Sequence, residues 1–461
     1  MVLTTVKSYF NKKYLQQYIS VMAASLVFFV CGNQMGTMSP YLVILNVDGY
    51  HEVPKISSLI VSWLSSIYNI GILFGALMST YANDILGRKL SMILFTFPAL
   101  LSQIFQYFAV NISMVFISLF LRGITSSWAF SVVPTYISEI ALPHLRGPFT
   151  VLGVLIMSLG MLSGSLIQAS FSIELSALIG GISVLVTLVL VCVISETPYF
   201  FISKNKDAKC KESLRKFRCE KIVDKEYEEI KSSWNETLAI KQEGWVKIFT
   251  VPLNLKVVFI CVGVQTCQQF TALTTMVTNI HTIVQHYQLD LSLTQISIMS
   301  KGVETFTTII SIFVIDSWGR RPLFLFVSLG ACIAHFITGL AFVIANINGE
   351  ISTTVGITAF IGNLIYLAIS GLGLKHLPNV LGAELFTTDI RSKGCSLLMV
   401  ISAIEGAIVA LLFDFLFNMA NYLPFLIFSA CGFLGFVFGV IWVPETRSKS
   451  LAEIQRQLKC N

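Results

Sequence analysis

The chain has 461 residues, of which 55% are hydrophobic and only 12% charged, and it carries a formal net charge of +6; its mean hydropathy is +0.77. Soluble domains carry about 25% charged residues, so the composition excludes a soluble globular protein and makes lipid the expected solvent. The positive excess would suggest nucleic acid in a soluble protein, but here its distribution assigns it to topology, and no nucleic-acid partner is expected.

In chain order, Met1 to Tyr18 holds three lysines and no acid. The apolar stretch that follows is too long for a cleaved signal peptide and reads as a retained first span. Apolar intervals at 19–45, 56–81, 90–110, 112–138, 148–170 and 176–195 make a first set of six; those at 257–285, 293–315, 323–346, 353–386, 396–417 and 423–443 make a second. A spanning helix needs ~20 apolar residues. Lipid admits only helices and closed barrels, because every backbone polar group needs an internal partner. These runs are too long for barrel strands and show no strict alternation. The expected fold is therefore an all-α membrane protein, with twelve transmembrane helices in two six-helix bundles: residues 1–195, a linker at 196–256, and residues 257–461 with a tail. The linker mixes basic and acidic residues at helical spacing, such as Lys209, Lys211, Glu212, Arg215 and Lys216, and this predicts short surface helices. Asn111-Ile112-Ser113 is a glycosylation sequon in a very short loop, which argues against its use.

Orientation follows from Lys and Arg. With the N-terminus inside, 27 of the 31 basic residues are cytoplasmic, thirteen of them between Glu196 and Lys256. Lys55 is outside, and Arg122, Lys301 and Lys375 remain within spans. Both termini are expected to be cytoplasmic. The ten cysteines are scattered singly, which predicts neither a metal site nor a disulfide framework.

One charged signature recurs about half a chain apart. Asp84-Ile85-Leu86-Gly87-Arg88-Lys89 is answered by Asp316-Ser317-Trp318-Gly319-Arg320-Arg321. Glu139 and Arg146 are answered by Glu384 and Arg391, and Glu196-Thr197-Pro198 by Glu445-Thr446-Arg447. Two homologous bundles in parallel are the architecture of many transporters, with the substrate site between the halves.

Together with Pro134-x-Tyr136-x-x-Glu139, Gln268-Gln269 and the closing Pro444-Glu445-Thr446, these motifs resemble the sugar porter family of the major facilitator superfamily. The flavour of the termini and loop is similar to the facilitated trehalose transporter-like group. The resemblance covers nearly the whole chain. It implies the major facilitator fold and alternating access by rocking of the bundles. It also implies that Asp84, Arg88, Glu139 and Arg146 in the first half, with Asp316, Arg320, Glu384 and Arg391 in the second, form a cytoplasmic gate of ion pairs. It implies a sugar or other small polar solute as partner, no cofactor, and a plasma-membrane location; it leaves the oligomeric state open.

The chain departs from the family's sugar ligands. Gln268 and Gln269 are kept, but the family's seventh-span Asn is Thr274, its tenth-span Trp is Asn379, its fifth-span Gln falls on Val154, and its eighth-span Asn falls near Glu304. In their place come charges near the midplane, where ionisable groups default to function. Lys375 and Glu304 can pair across a cavity and exchange for an anionic or zwitterionic solute; alternatively Lys301 and Glu304, at i,i+3, form a structural pair. The candidate binding set is thus Gln268, Gln269, Thr274, Glu304, Lys375 and Asn379. His376 is a candidate proton relay, though a structural hydrogen bond is the commoner role, and Glu405 and Asp414 are further intramembrane acids. Proton-coupled members carry a first-span acid; here the stretch is Asn33-Gln34-Met35, which favours facilitated diffusion. Arg122 lies about one turn from the family's fourth-span Arg, and its role stays open. A proton symporter and a non-transporting sensor on the same fold are the alternatives. No phosphate-binding loop or nucleophile–base motif points to an enzyme.

Overall fold

The computed structural model describes residues 15–47, 55–218, 220–240, 248–285, 289–349, 352–386 and 390–447, together with residues 49, 287, 453 and 457. Among the described residues, twelve helices are long and apolar enough to cross a membrane, and they match the predicted intervals with ends shifted by a few residues.

In the first half the spans are α1 (Leu15–Val47), α2 (Ser58–Leu86), α3 (Arg88–Tyr107), α4 (Ile112–Ile140), α5 (Pro143–Ser170) and α6 (Ile173–Val193). Three linker helices follow: α7 (Pro198–Ser203), α8 (Asp207–Phe217) and α9 (Glu220–Ile240). They share a small core of Ile202, Cys210, Leu214, Val223, Tyr227 and Ile230. Arg218 fastens them to the first half by donating to the Ile140 carbonyl at 2.8 Å while pairing with Glu226.

The second half has α10 (Pro252–Phe270) and α11 (Leu273–Gln285), which together form the seventh span, then α12 (Leu293–Trp318) and α13 (Arg320–Asn348). The tenth span is α14 (Thr353–Ile369), a π turn (Ser370–Leu374) and α15 (Leu377–Leu385); α16 (Arg391–Met419) and α17 (Leu423–Trp442) complete the set. The sequence reads the seventh and tenth spans as continuous, yet both are interrupted near mid-depth.

Small residues set the close crossings. A Cβ on Gly32, Gly36, Gly160 or Gly164 would collide with backbone of the facing helix across the α1–α5 crossing, which is how glycines let helices approach in lipid. Asn111 caps α4, its side chain accepting from the Met114 amide at 3.1 Å.

The halves meet through α1 with α11, α2 with α16, and α5 with α12. Among the described residues, hydrogen bonds that cross this seam lie at mid-depth and toward the end away from the Arg88 and Arg320 motifs. Ser165 bonds Ser297 (2.9 Å), Ser170 bonds Thr294 (3.2 Å), and Ser39 meets both the amide and the ring of His281. Ser66 reaches the Ala407 carbonyl at 3.3 Å.

Candidate functional site

The repeated signature becomes one constellation in each half. Gly87 ends α2 at φ +93°, and a Cβ there would lie 2.5 Å from the Glu196 carboxylate. That carboxylate accepts the Arg88 and Lys89 amides, each at 3.0 Å, so it caps the N-terminus of α3. Burial pushes the Glu196 carboxyl up, and the Thr197, Lys89 and Arg88 amides counter that rise. Glu139 then binds Arg88 at 2.7 Å and accepts the Thr197 hydroxyl at 2.6 Å.

The second half repeats every element. Gly319 has φ +95°, and Glu445 accepts the Arg320 and Arg321 amides at 3.1 and 3.2 Å. Glu384 binds Arg320 at 2.9 Å and the Thr446 hydroxyl at 2.6 Å. Both pairs join residues of the same half. Glu196, Thr197, Glu445 and Thr446, absent from the predicted gate set, complete these sites; their recurrence in the sequence was the signal. Asp84 is exposed and has no ion pair among the described residues. The side chains of Arg146, Asp316 and Arg391 lie outside the described residues.

At mid-depth the broken spans expose polar groups to one another. The seventh span turns at Thr271 and Ala272, with Ala272 in the left-handed region at φ +61°. This leaves Gln268 and Gln269 on the last turn of α10. Gln269 donates to the Ser402 hydroxyl at 2.7 Å and accepts from Thr274 at 2.9 Å. Gln265 donates to Ser402 at 3.0 Å and to Gln268 at 2.5 Å. In the tenth span Pro378 lacks the amide that would bond the Leu374 carbonyl in a regular helix. Gln268 takes up that carbonyl at 2.8 Å and the Lys375 carbonyl at 3.0 Å.

The same interruption delivers Lys375 to the eighth span. Gly371 allows the approach, because a Cβ there would lie 2.7 Å from the Glu304 carbonyl. Glu304 sits eleven residues into α12, ~16 Å along it, and binds both lysines: Lys375 at 3.0 Å and Lys301 at 3.1 Å. The two pairings weighed from the sequence therefore coexist. Lys301 also donates to the Val277 carbonyl, and Lys375 touches Met161 of the first half at 3.3 Å. Asn379 is exposed and makes no hydrogen bond to this group among the described residues. Of the other acids, Glu405 accepts from Thr266 at 2.6 Å; its Oε2 and the Oδ2 of Asp414 are buried without a partner among the described residues. The Nε2 of His376 is likewise unpartnered.

The first half has its own buried cation. Arg122 is fully buried and donates to Thr37 (2.9 Å), to the Gln34 carbonyl and to Gln106. These partners are all neutral.

Twelve spans in two bundles, with matched constellations at one end and an interrupted pair of spans at the seam, define a membrane carrier of the major facilitator fold. The model of the family described as "Sugar (and other) transporter" matches residues 4–458, and the chain belongs to that family. Among relatives, the facilitated trehalose transporter Tret1 of Apis mellifera ligustica is 24% identical, over 96% of this chain and 88% of that protein. The putative sugar transporter ERD6-like 13 of Arabidopsis thaliana is 26% identical, over 86% of this chain and 80% of that one. The inward-open xylose transporter XylE from E. coli superposes with a TM-score of 0.77 at 19% identity, over 96% of this chain and 99% of that chain. The proton:xylose symporter XylE bound to 6-bromo-6-deoxy-D-glucose gives 0.77 at 21%, over 97% and 100%. At these identities the structural likeness speaks for the fold.

Proposed function

We propose that this chain moves a sugar or another small polar solute down its gradient by alternating exposure of a site between its halves. The observation that carries this reading is the convergence of Gln265, Gln268, Gln269, Thr274 and Ser402 where the seventh and tenth spans are interrupted. Amides and hydroxyls at that depth replace water around solute hydroxyls, and interrupted spans at a repeat interface are where carriers bind substrate. Sugar transport in the named relatives supports the substrate class. Facilitated diffusion is favoured because the cation of the first half, Arg122, has neutral partners and the first span offers Asn33 and Gln34 instead of an acid. The unpartnered oxygens of Glu405 and Asp414 are what speaks for proton symport.

The weight of Lys and Arg at the motif end supports cytoplasmic termini, and the family supports a plasma-membrane location. With that orientation, the cross-seam hydrogen bonds among the described residues lie at mid-depth and toward the outer side. The Arg88 and Arg320 constellations brace each half as it rocks; Asp84, Arg146, Asp316 and Arg391 would complete the gate when the cytoplasmic side closes. The test is uptake of labelled hexoses, trehalose and polyols into proteoliposomes. Saturable uptake indifferent to external pH is expected. A current that follows external pH would move the assignment to symport, and no flux of any solute would remove the carrier reading.

A further inference from the structure

Counted with both ammoniums protonated, the charges of the lysine cluster at mid-depth in the second half do not cancel. Lys301 and Lys375 share the single carboxylate of Glu304, so the cluster holds one positive charge in excess. An uncompensated charge at that depth is unfavourable and is expected to find a counter-ion. The three side chains differ in access: Lys301 is 1% exposed, Glu304 4% and Lys375 12%. An ammonium has three donors. Among the described residues Lys375 uses two of them, on Glu304 and on the thioether of Met161, a weak acceptor that belongs to the other half. Its own carbonyl is held by Gln268, which ties the backbone of this residue to the amide cluster assigned to solute hydroxyls.

We propose that the solute is a monoanionic sugar acid, an aldonate or uronate, whose carboxylate takes the remaining donor capacity of Lys375 while its hydroxyls meet Gln268, Gln269 and Ser402. This rests on the carrier reading above and narrows its substrate class. One carboxylate neutralises the cluster. A neutral sugar leaves the excess charge in place, and a sugar phosphate dianion reverses it. Because Met161 is contributed by the opposite bundle, a solute held by Lys375 sits on the seam that opens and closes.

The experiment compares labelled glucuronate, gluconate, glucose and glucose 6-phosphate in proteoliposomes containing the full chain, with potentials set by potassium and valinomycin. Glucuronate or gluconate uptake should exceed glucose uptake by about tenfold or more, the worth of a charged hydrogen bond, and an inside-positive potential should accelerate it. Lys375→Met should lose that preference by a similar factor, Lys375→Arg should keep most of it, and each variant is checked for a monodisperse elution profile. Lys301→Met adds a readout that contact alone would not move: it leaves Glu304 and Lys375 as a balanced pair, so sugar-acid uptake should fall although Lys301 is sealed from the solute. Glucose uptake that matches or exceeds sugar-acid uptake overturns the charge assignment and leaves the carrier reading standing. So does preference for glucose 6-phosphate, or glucose flux that requires chloride, which would assign the counter-charge to an inorganic ion. Absence of flux for all four solutes overturns both readings.

Discussion

Arg88 and Arg320 occupy equivalent surroundings in the two halves, whereas Arg122 and Lys375 do not. At the motif end each arginine meets a glutamate from the fourth span of its half, a threonine hydroxyl completes that glutamate, and a second glutamate caps the next helix. At mid-depth the first half seals Arg122 among neutral acceptors, while the second half leaves Lys375 partly accessible over Glu304. The contrast separates two demands on a repeated fold. Two bodies that rock against each other need matching braces at the ends that swing, so those ends stay alike. A single solute meets different faces of the two bodies, so the middles are free to diverge.

The sharpest way to break this contrast is Glu304→Gln. The change leaves Lys301 and Lys375 facing each other without a carboxylate. Removing one partner of a buried ion pair costs about 3–5 kcal/mol, so the yield of folded protein in detergent should drop severely. A variant that melts like the parent would show that the cluster does not hold two buried charges. Next come Gly87→Ala and Gly319→Ala. Each forces a side chain into a backbone region open to glycine and drives a Cβ toward the capping glutamate. The strain is roughly 1–3 kcal/mol, and the displaced carboxylate adds to it. Equal losses of melting temperature in the two variants would confirm that the braces match.

Arg88→Ala and Arg320→Ala sharpen the same comparison at smaller scale. Glu139 is 12% exposed and Glu384 29%. A carboxylate left alone is more costly the less water reaches it, so the first change should cost about 2–3 kcal/mol and the second about 1. Thermal melts of the two, side by side, test the order; a larger loss for Arg320→Ala reverses it.

The braces were largely legible in the sequence. Three ordered pairs of motifs recur because each constellation needs a glycine with positive φ, an arginine and two glutamates, and each motif supplies part of that set. The long apolar runs gave the twelve spans, but not which side chains would be exposed: Asp84 shares the motif yet is exposed. The middle was harder to read. Lys301 and Glu304 were visible as an i,i+3 pair and Lys375 as a charge of similar depth, but whether one carboxylate reaches both lysines depends on how closely the tenth span approaches the eighth. Gly371, Gly373 and Pro378 are what make that approach and break the helix, and they sit inside an apolar run whose hydropathy does not record the break. The seventh span hid its own interruption better still, since no glycine or proline marks it.

That hidden turn yields the smallest effect, and its sign can be derived. Ala272 adopts φ +61°. A left-handed alanine carries about 1–2 kcal/mol of strain. Replacing it by glycine removes that strain but adds about 0.4–1 kcal/mol of unfolded-chain entropy. Ala272→Gly should therefore stabilise the protein by roughly 0.5 kcal/mol, the difference between those two terms, and raise its melting temperature by about a degree. Ala272 also has no solvent exposure, and its methyl lies in the core of the second half. If that packing outweighs the strain, the melting temperature falls instead. The left-handed alanine would then be holding Gln268 and Gln269 in register for the solute at the expense of its own backbone.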